Sequence, residues 1–142
     1  MRTTTKPHRL TDLIPVSNVA QRYSSYKAYR ILYFAFIAVP LIAGFDKFFG
    51  YLTNWSLYLS PVISNAVEAG TFMKGVGIVE ILAGILVAIR PRIGAFVVAA
   101  WMGGIILNLI SIPGYYDIAL RDFGLALGAV ALGFMAREYS VD

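Results

Sequence analysis

The sequence predicts an all-α integral membrane protein, a four-helix bundle with a short interfacial helix in its first outer loop. Three observations lead there. The chain of 142 residues is 58% hydrophobic and 14% charged, whereas a soluble domain carries about 25% charged residues. Four apolar runs approach the roughly 20 residues that cross about 30 Å of hydrocarbon. The basic residues flank those runs instead of forming a patch between aromatics, so the net charge of +4 reads as topological anchoring and nucleic acid is not an expected partner.

Residues 1–27 read as a polar cytoplasmic tail with Pro7 and Pro15. Tyr23, Tyr26, Tyr29 and Tyr33 recur at helical spacing and suit a headgroup-level belt at the entry to the first span. A cleavable leader is not expected, because the first apolar run starts late, near Ala28. The first span is expected over 28–46, ending at Asp46-Lys47, with Pro40 kinking it or absorbed by neighbouring helices. The second is expected over 71–89, stopping at Arg90-Pro91-Arg92. The third is expected over 93–112, stopping at Pro113-Gly114, and the fourth over 117–136, stopping at Arg137-Glu138. Residues 28–137 thus form one membrane domain, followed by a short tail, 138–142.

Between the first two spans lies the connection Gly50–Gly70, and Phe48, Tyr51, Leu52, Trp55, Leu59 and Val62 fall on one helical stripe. That pattern predicts a short interfacial helix with its aromatic face down, or a re-entrant lid over the bundle. Trp55 and Tyr58 are expected at the outer headgroup level. Arg22, Lys27, Arg30, Arg90 and Arg92 put the positive excess at the N-terminus and second loop, so both termini are expected in the cytoplasm. Gly124 and Gly128 on the fourth span, and Gly77 and Gly84 on the second, read as seams where helix backbones approach closely.

Glu80 is the most informative residue. It lies near the middle of the second span, about 13 Å from its end at 1.5 Å per residue. A carboxylate there must face the interior, meet a cation or hold a proton. Two readings stand side by side: a ligand, proton or ion site, or a structural hydrogen bond from a neutral acid. Helical side chains lean toward their own N-terminus. Lys47, at the outer end of the first span, therefore leans inward and is the best-aimed partner for Glu80. Asn108 leans inward in the same way. Arg121 shares a helical face with Asp117, Gly124 and Gly128. One polar cavity open to the outside could hold Lys47, Glu80, Asn108 and Arg121, with Asp46, Trp101, Asp117 and Asp122 as secondary candidates. Asp117 and Asp122 also fit a plainer role, neutralising a helix start. Trp101 should bury its ring and seek an acceptor.

With no cysteine and one histidine, His8, the sequence lacks the ligands for iron–sulfur clusters or a bis-histidine haem, and no metal site is expected. A nucleophile–base pair is also missing from the spans, so catalysis by this chain alone is not expected.

The motifs Gly44-Phe45-Asp46-Lys47-Phe48 and Gly77-Ile78-Val79-Glu80, followed by Gly84 and the Arg90-Pro91-Arg92 loop, resemble the DoxX-like family of small bacterial membrane proteins. The stretch Tyr116-Asp117-Ile118-Ala119-Leu120-Arg121-Asp122 is similar as well, and the resemblance spans about residues 28–137. It implies a four-helix bundle in the bacterial cytoplasmic (inner) membrane. For some members it implies a subunit of a quinone-linked oxidoreductase such as thiosulfate:quinone oxidoreductase. Three functions follow as expectations. The first is an accessory or quinone-proximal subunit of a membrane redox complex, with quinone as the candidate cofactor. The second is a small transporter or proton-conducting module using Glu80. The third is a structural or assembly subunit. The expected partners are the lipid bilayer and other membrane subunits or further copies of the chain.

Overall fold

Four long apolar helices account for most of the chain. A computed structural model describes residues 16–140, and His8, Pro7 and Pro15 lie outside the described residues. The helices are α1 (Val16–Phe49), α2 (Pro61–Ser64), α3 (Ala69–Ile89), α4 (Pro91–Ile110) and α5 (Tyr116–Tyr139), with a single 3₁₀ turn at Trp55–Tyr58. No strand occurs among the described residues. All but α2 are long and apolar enough to cross a membrane.

The expected span 28–46 is only part of α1, which begins at Val16 and runs to Phe49. Its extra N-terminal stretch meets α5 only near its end. Tyr26 and Tyr29 both pack on Tyr139 of α5, each at 5.6 Å between ring centroids. The Tyr33 hydroxyl donates to the Ala88 carbonyl at 2.9 Å. The tyrosine stripe is therefore partly a packing seam, with Tyr29 buried. Pro40 sits inside α1 without ending it. The other spans differ by at most three residues at either end: Ala69–Ile89, Pro91–Ile110 and Tyr116–Tyr139.

Each boundary has a local cause. At the end of α1, Gly50 takes a left-handed conformation (φ 69) and its N–H donates to the Asp46 carbonyl, the usual glycine exit from a helix. Glu68 caps α3, accepting from the Gly70 and Thr71 N–H groups at 2.8 and 2.6 Å. Arg90 alone separates α3 from α4, and Pro91 opens α4, where its missing N–H costs nothing.

Helix within 50–70 occurs as separate short pieces instead of one continuous stretch. The connection holds two one-turn pieces, the 3₁₀ turn and α2. Asn54 caps the first through Ser56 N–H, and Pro61 starts the second. These local signals break the stripe that spans them.

Packing is pairwise. α1 lies most closely on α3 and α4 on α5, and the α3–α4 and α1–α5 seams are lighter. The core is at the end of the bundle where the termini lie, built from Tyr29, Phe36, Ala83, Val87, Ala95, Val98, Ala129, Leu132 and Ala136. Gly77 and Gly84 do face α1: a Cβ on Gly77 would lie 2.6 Å from the Gly44 carbonyl. Gly128 faces Phe36, whereas Gly124 meets nothing within 4 Å and marks no contact in the chain.

Candidate functional site

Each of the four long helices places a polar side chain toward one interior point, toward the end covered by the 50–68 connection. α1 brings Lys47 and α3 brings Glu80. Lys47 Nζ donates to Glu80 Oε2 at 2.6 Å, with side chains only 4% and 11% exposed. The inward lean of a residue at the C-terminal end of α1 accounts for this reach. Gly44 and Gly77 bring the two backbones together one turn away, which shortens the gap the lysine must span.

α4 contributes Trp101. Its indole N–H is buried and completes no hydrogen bond, yet lies within interaction range of Glu80. α5 contributes Asp122, which is buried and near enough for its charge to act on Glu80. Its partner is the adjacent Arg121, whose Nε lies 3.3 Å from Asp122 Oδ1.

The structure thus reverses the roles expected on α5. The Arg121 side chain is 67% exposed and Asp122 only 10%. Successive helical residues point about 100° apart, and the buried line of α5 runs through Ala119, Asp122, Ala129, Leu132, Gly133 and Ala136. Arg121 and Gly124 fall off it. Asp117 is exposed in the first turn of α5 and stays outside the cluster. Asn108 is also elsewhere. Its Oδ1 accepts from Ser60 N–H at 2.9 Å and its Nδ2 donates to the Tyr58 carbonyl at 2.6 Å. It satisfies the backbone of the connection, whose non-helical groups need partners wherever water is excluded.

Two residues are more central than the sequence indicates. Asp46 accepts from the Tyr51 and Leu52 N–H groups and from Trp55 Nε1, the last at 2.8 Å. Trp55 in turn lays its ring over Lys47 Nζ, 3.7 Å from the ring centroid. Lys47 is therefore held between a carboxylate below and an aromatic face above. The adjacency of Asp46 and Lys47 was the available signal, but nothing in the sequence shows that the connection folds back over them.

Two cavities adjoin the cluster. A vestibule of about 280 Å³ lies under the connection, lined by Lys47, Thr53, Asn54, Trp55, Met73, Lys74 and neighbours. A groove of about 500 Å³ opens on the outer surface along the lighter α3–α4 seam, lined by Val79, Leu82, Ala83, Leu86, Val97, Ala100 and Trp101. Lys47 borders the first cavity and Trp101 the second, while both adjoin Glu80. No group of three or more metal-ligating side chains occurs among the described residues. No family model, curated protein or solved structure matches the chain.

Proposed function

We propose that this chain is a multi-pass protein of the bacterial cytoplasmic membrane and an accessory, quinone-proximal subunit of a membrane redox complex. Membrane insertion is supported by the apolar exterior. Ile31, Phe34, Ile42, Leu82, Leu107, Leu120 and Phe123 are all exposed, along helices that water would not tolerate side by side. The DoxX-like resemblance supports the redox assignment.

The observation that carries the quinone reading is the double position of Trp101. Its ring lines an apolar groove that faces the surface, and its buried N–H lies on the other side, within range of Glu80. A quinone is a planar apolar ring with carbonyl acceptors on a lipid-soluble body. It suits an apolar groove entered from lipid whose wall is aromatic. Val79, Leu82, Leu86 and Val97 would hold the ring and the first part of its tail. Redox chemistry comes from the quinone and from a partner subunit, and this chain supplies the berth.

Trp55→Phe leaves Trp101 as the only tryptophan, because the chain has two. Titrating that variant in detergent with a short-chain quinone should quench Trp101 emission saturably. Filling the groove with Ala100→Phe should weaken the apparent affinity at least about tenfold, the loss of one well-packed contact. Linear quenching that is the same in both proteins would reject the groove as the berth.

A further inference from the structure

We infer that the Lys47–Glu80 couple is a proton-binding site that exchanges with water through the vestibule under the connection, and that Trp55 is its lid. The inference does not depend on the quinone reading.

The couple is buried, but Lys47 lines the vestibule. The vestibule is polar where it meets the lysine, with Thr53, Asn54 and Lys74 in its wall. A proton arriving there meets Lys47 first and Glu80 behind it. The step is a proton transfer alone. A proton adds to the Glu80 carboxylate, the charge-assisted bond from Lys47 is lost, and the ammonium keeps its charge.

The surroundings of Lys47 make that outcome tolerable. Its Nζ already lies 3.7 Å from the centre of the Trp55 ring, and Asp46 is close enough to interact with it electrostatically. When Glu80 becomes neutral, the ammonium keeps an aromatic face and a nearby carboxylate. Protonation of Glu80 and the position of Trp55 are thereby linked through one shared cation. Trp55 is itself latched by its N–H to Asp46 Oδ2, so moving the ring also frees the start of the connection.

The groups facing Glu80 are few. α1 presents Lys47, with Asp46 behind it. α4 presents the Trp101 N–H. α5 presents Asp122, neutralised in part by Arg121. On α3 itself, Lys74 is exposed, toward the vestibule. Asp122 is the rival proton acceptor, and the test must separate it from Glu80.

Trp101 is a built-in reporter, since its N–H lies within range of Glu80. In Trp55→Phe, where it is the only tryptophan, its emission should show a single protonation transition on pH titration. The transition should vanish in Trp55→Phe/Glu80→Gln and persist in Trp55→Phe/Asp122→Asn. In stopped-flow pH jumps, Trp55→Ala should relax at least about tenfold faster than Trp55→Phe, a barrier lowered by roughly 1.4 kcal/mol. Trp55→Leu provides a second lid variant if Trp55→Ala does not give a helical, monodisperse protein. Three results would overturn the inference: an emission that does not change with pH, a transition that survives Glu80→Gln, or equal relaxation rates with and without the ring.

Discussion

Lys47 and Glu80 come from positions 33 residues apart and meet because each solves the other's problem. A lone carboxylate or ammonium in the interior is expensive, and the pair removes part of that cost without necessarily beating two apolar residues. Removing one partner should therefore hurt more than removing both. Lys47→Met and Glu80→Gln are each expected to cost about 3–5 kcal/mol, and the double variant much less than the sum. Thermal unfolding in detergent measures the cycle, and additivity within about 0.5 kcal/mol would rule out the coupling. Asp46 belongs to the same scale. It gathers three donors from the connection, Tyr51 N, Leu52 N and Trp55 Nε1. Asp46→Ala should open residues 50–60 to protease before the helices unfold. Wild-type resistance of that segment in the variant would show that the latch is dispensable. The pairing was legible in the sequence because side-chain lean is a backbone property. The burial of Asp122 was not. α5 is apolar on every side, so no polar face marks which of Arg121 and Asp122 turns outward.

Helices pack here through glycines of two kinds, which substitution should separate. A Cβ on Gly94 would sit 2.5 Å from the Val87 backbone nitrogen, and one on Gly77 would sit 2.6 Å from the Gly44 carbonyl. Backbone cannot swing aside as a side chain can, so Gly94→Ala and Gly77→Ala should each cost about 1–3 kcal/mol or more. Gly103 and Gly124 meet nothing within 4 Å, and alanine there should be neutral or slightly stabilising through helix propensity. Melting temperatures of the four variants make the comparison, and equal losses would contradict the packing described. The start of α3 responds to pH. The Thr71 hydroxyl, then the Thr71 and Gly70 N–H groups, hold the Glu68 carboxyl below its usual range. A lowered folded-state pKa means that the cap contributes fully above the ordinary glutamate value. The contribution is lost as pH falls through the lowered one. Amide exchange at Gly70 and Thr71 should rise in acid relative to its intrinsic rate, and Glu68→Gln should remove most of that pH dependence. Helix number and span positions were readable because apolar length is a strong signal. The early start of α1 was not, because the contact that Tyr26 makes there is with Tyr139, which is far away in sequence.

At the scale of the molecule, the N-terminal part of α1 and the end of α5 lie at the same end of the bundle. The start of α1 and the end of α5 touch through Tyr26, Tyr29 and Tyr139, as an even number of antiparallel long helices requires. The architecture was legible from composition and run length. The division into α1–α3 and α4–α5 pairs, and the groove between α3 and α4, were not, because both seams are written in small and aliphatic residues that lipid-facing surfaces also use. Charge then distinguishes the ends. Arg22, Lys27, Arg30, Arg90, Arg92 and Arg137 belong to the end with the termini, where Glu138 is also found. The other end carries Asp46, Glu68, Asp117 and Asp122 against Lys47, Lys74 and Arg121, and Lys47 is spent on Glu80. Short basic flanks are retained in the cytoplasm, while acidic residues have little influence. The termini should therefore be cytoplasmic and the vestibule should face outward. Two reporters read this independently. A fluorescent protein fused after Ser140 should fold and fluoresce, as it does only in the cytoplasm. Alkaline phosphatase inserted after Asn65, in the exposed part of the connection, should be active, as it is only outside. The reverse pattern would invert the molecule and turn the vestibule to the cytoplasm. Both sites reporting the same side would mean that one of the four helices does not cross, and with it the even-numbered topology would fall.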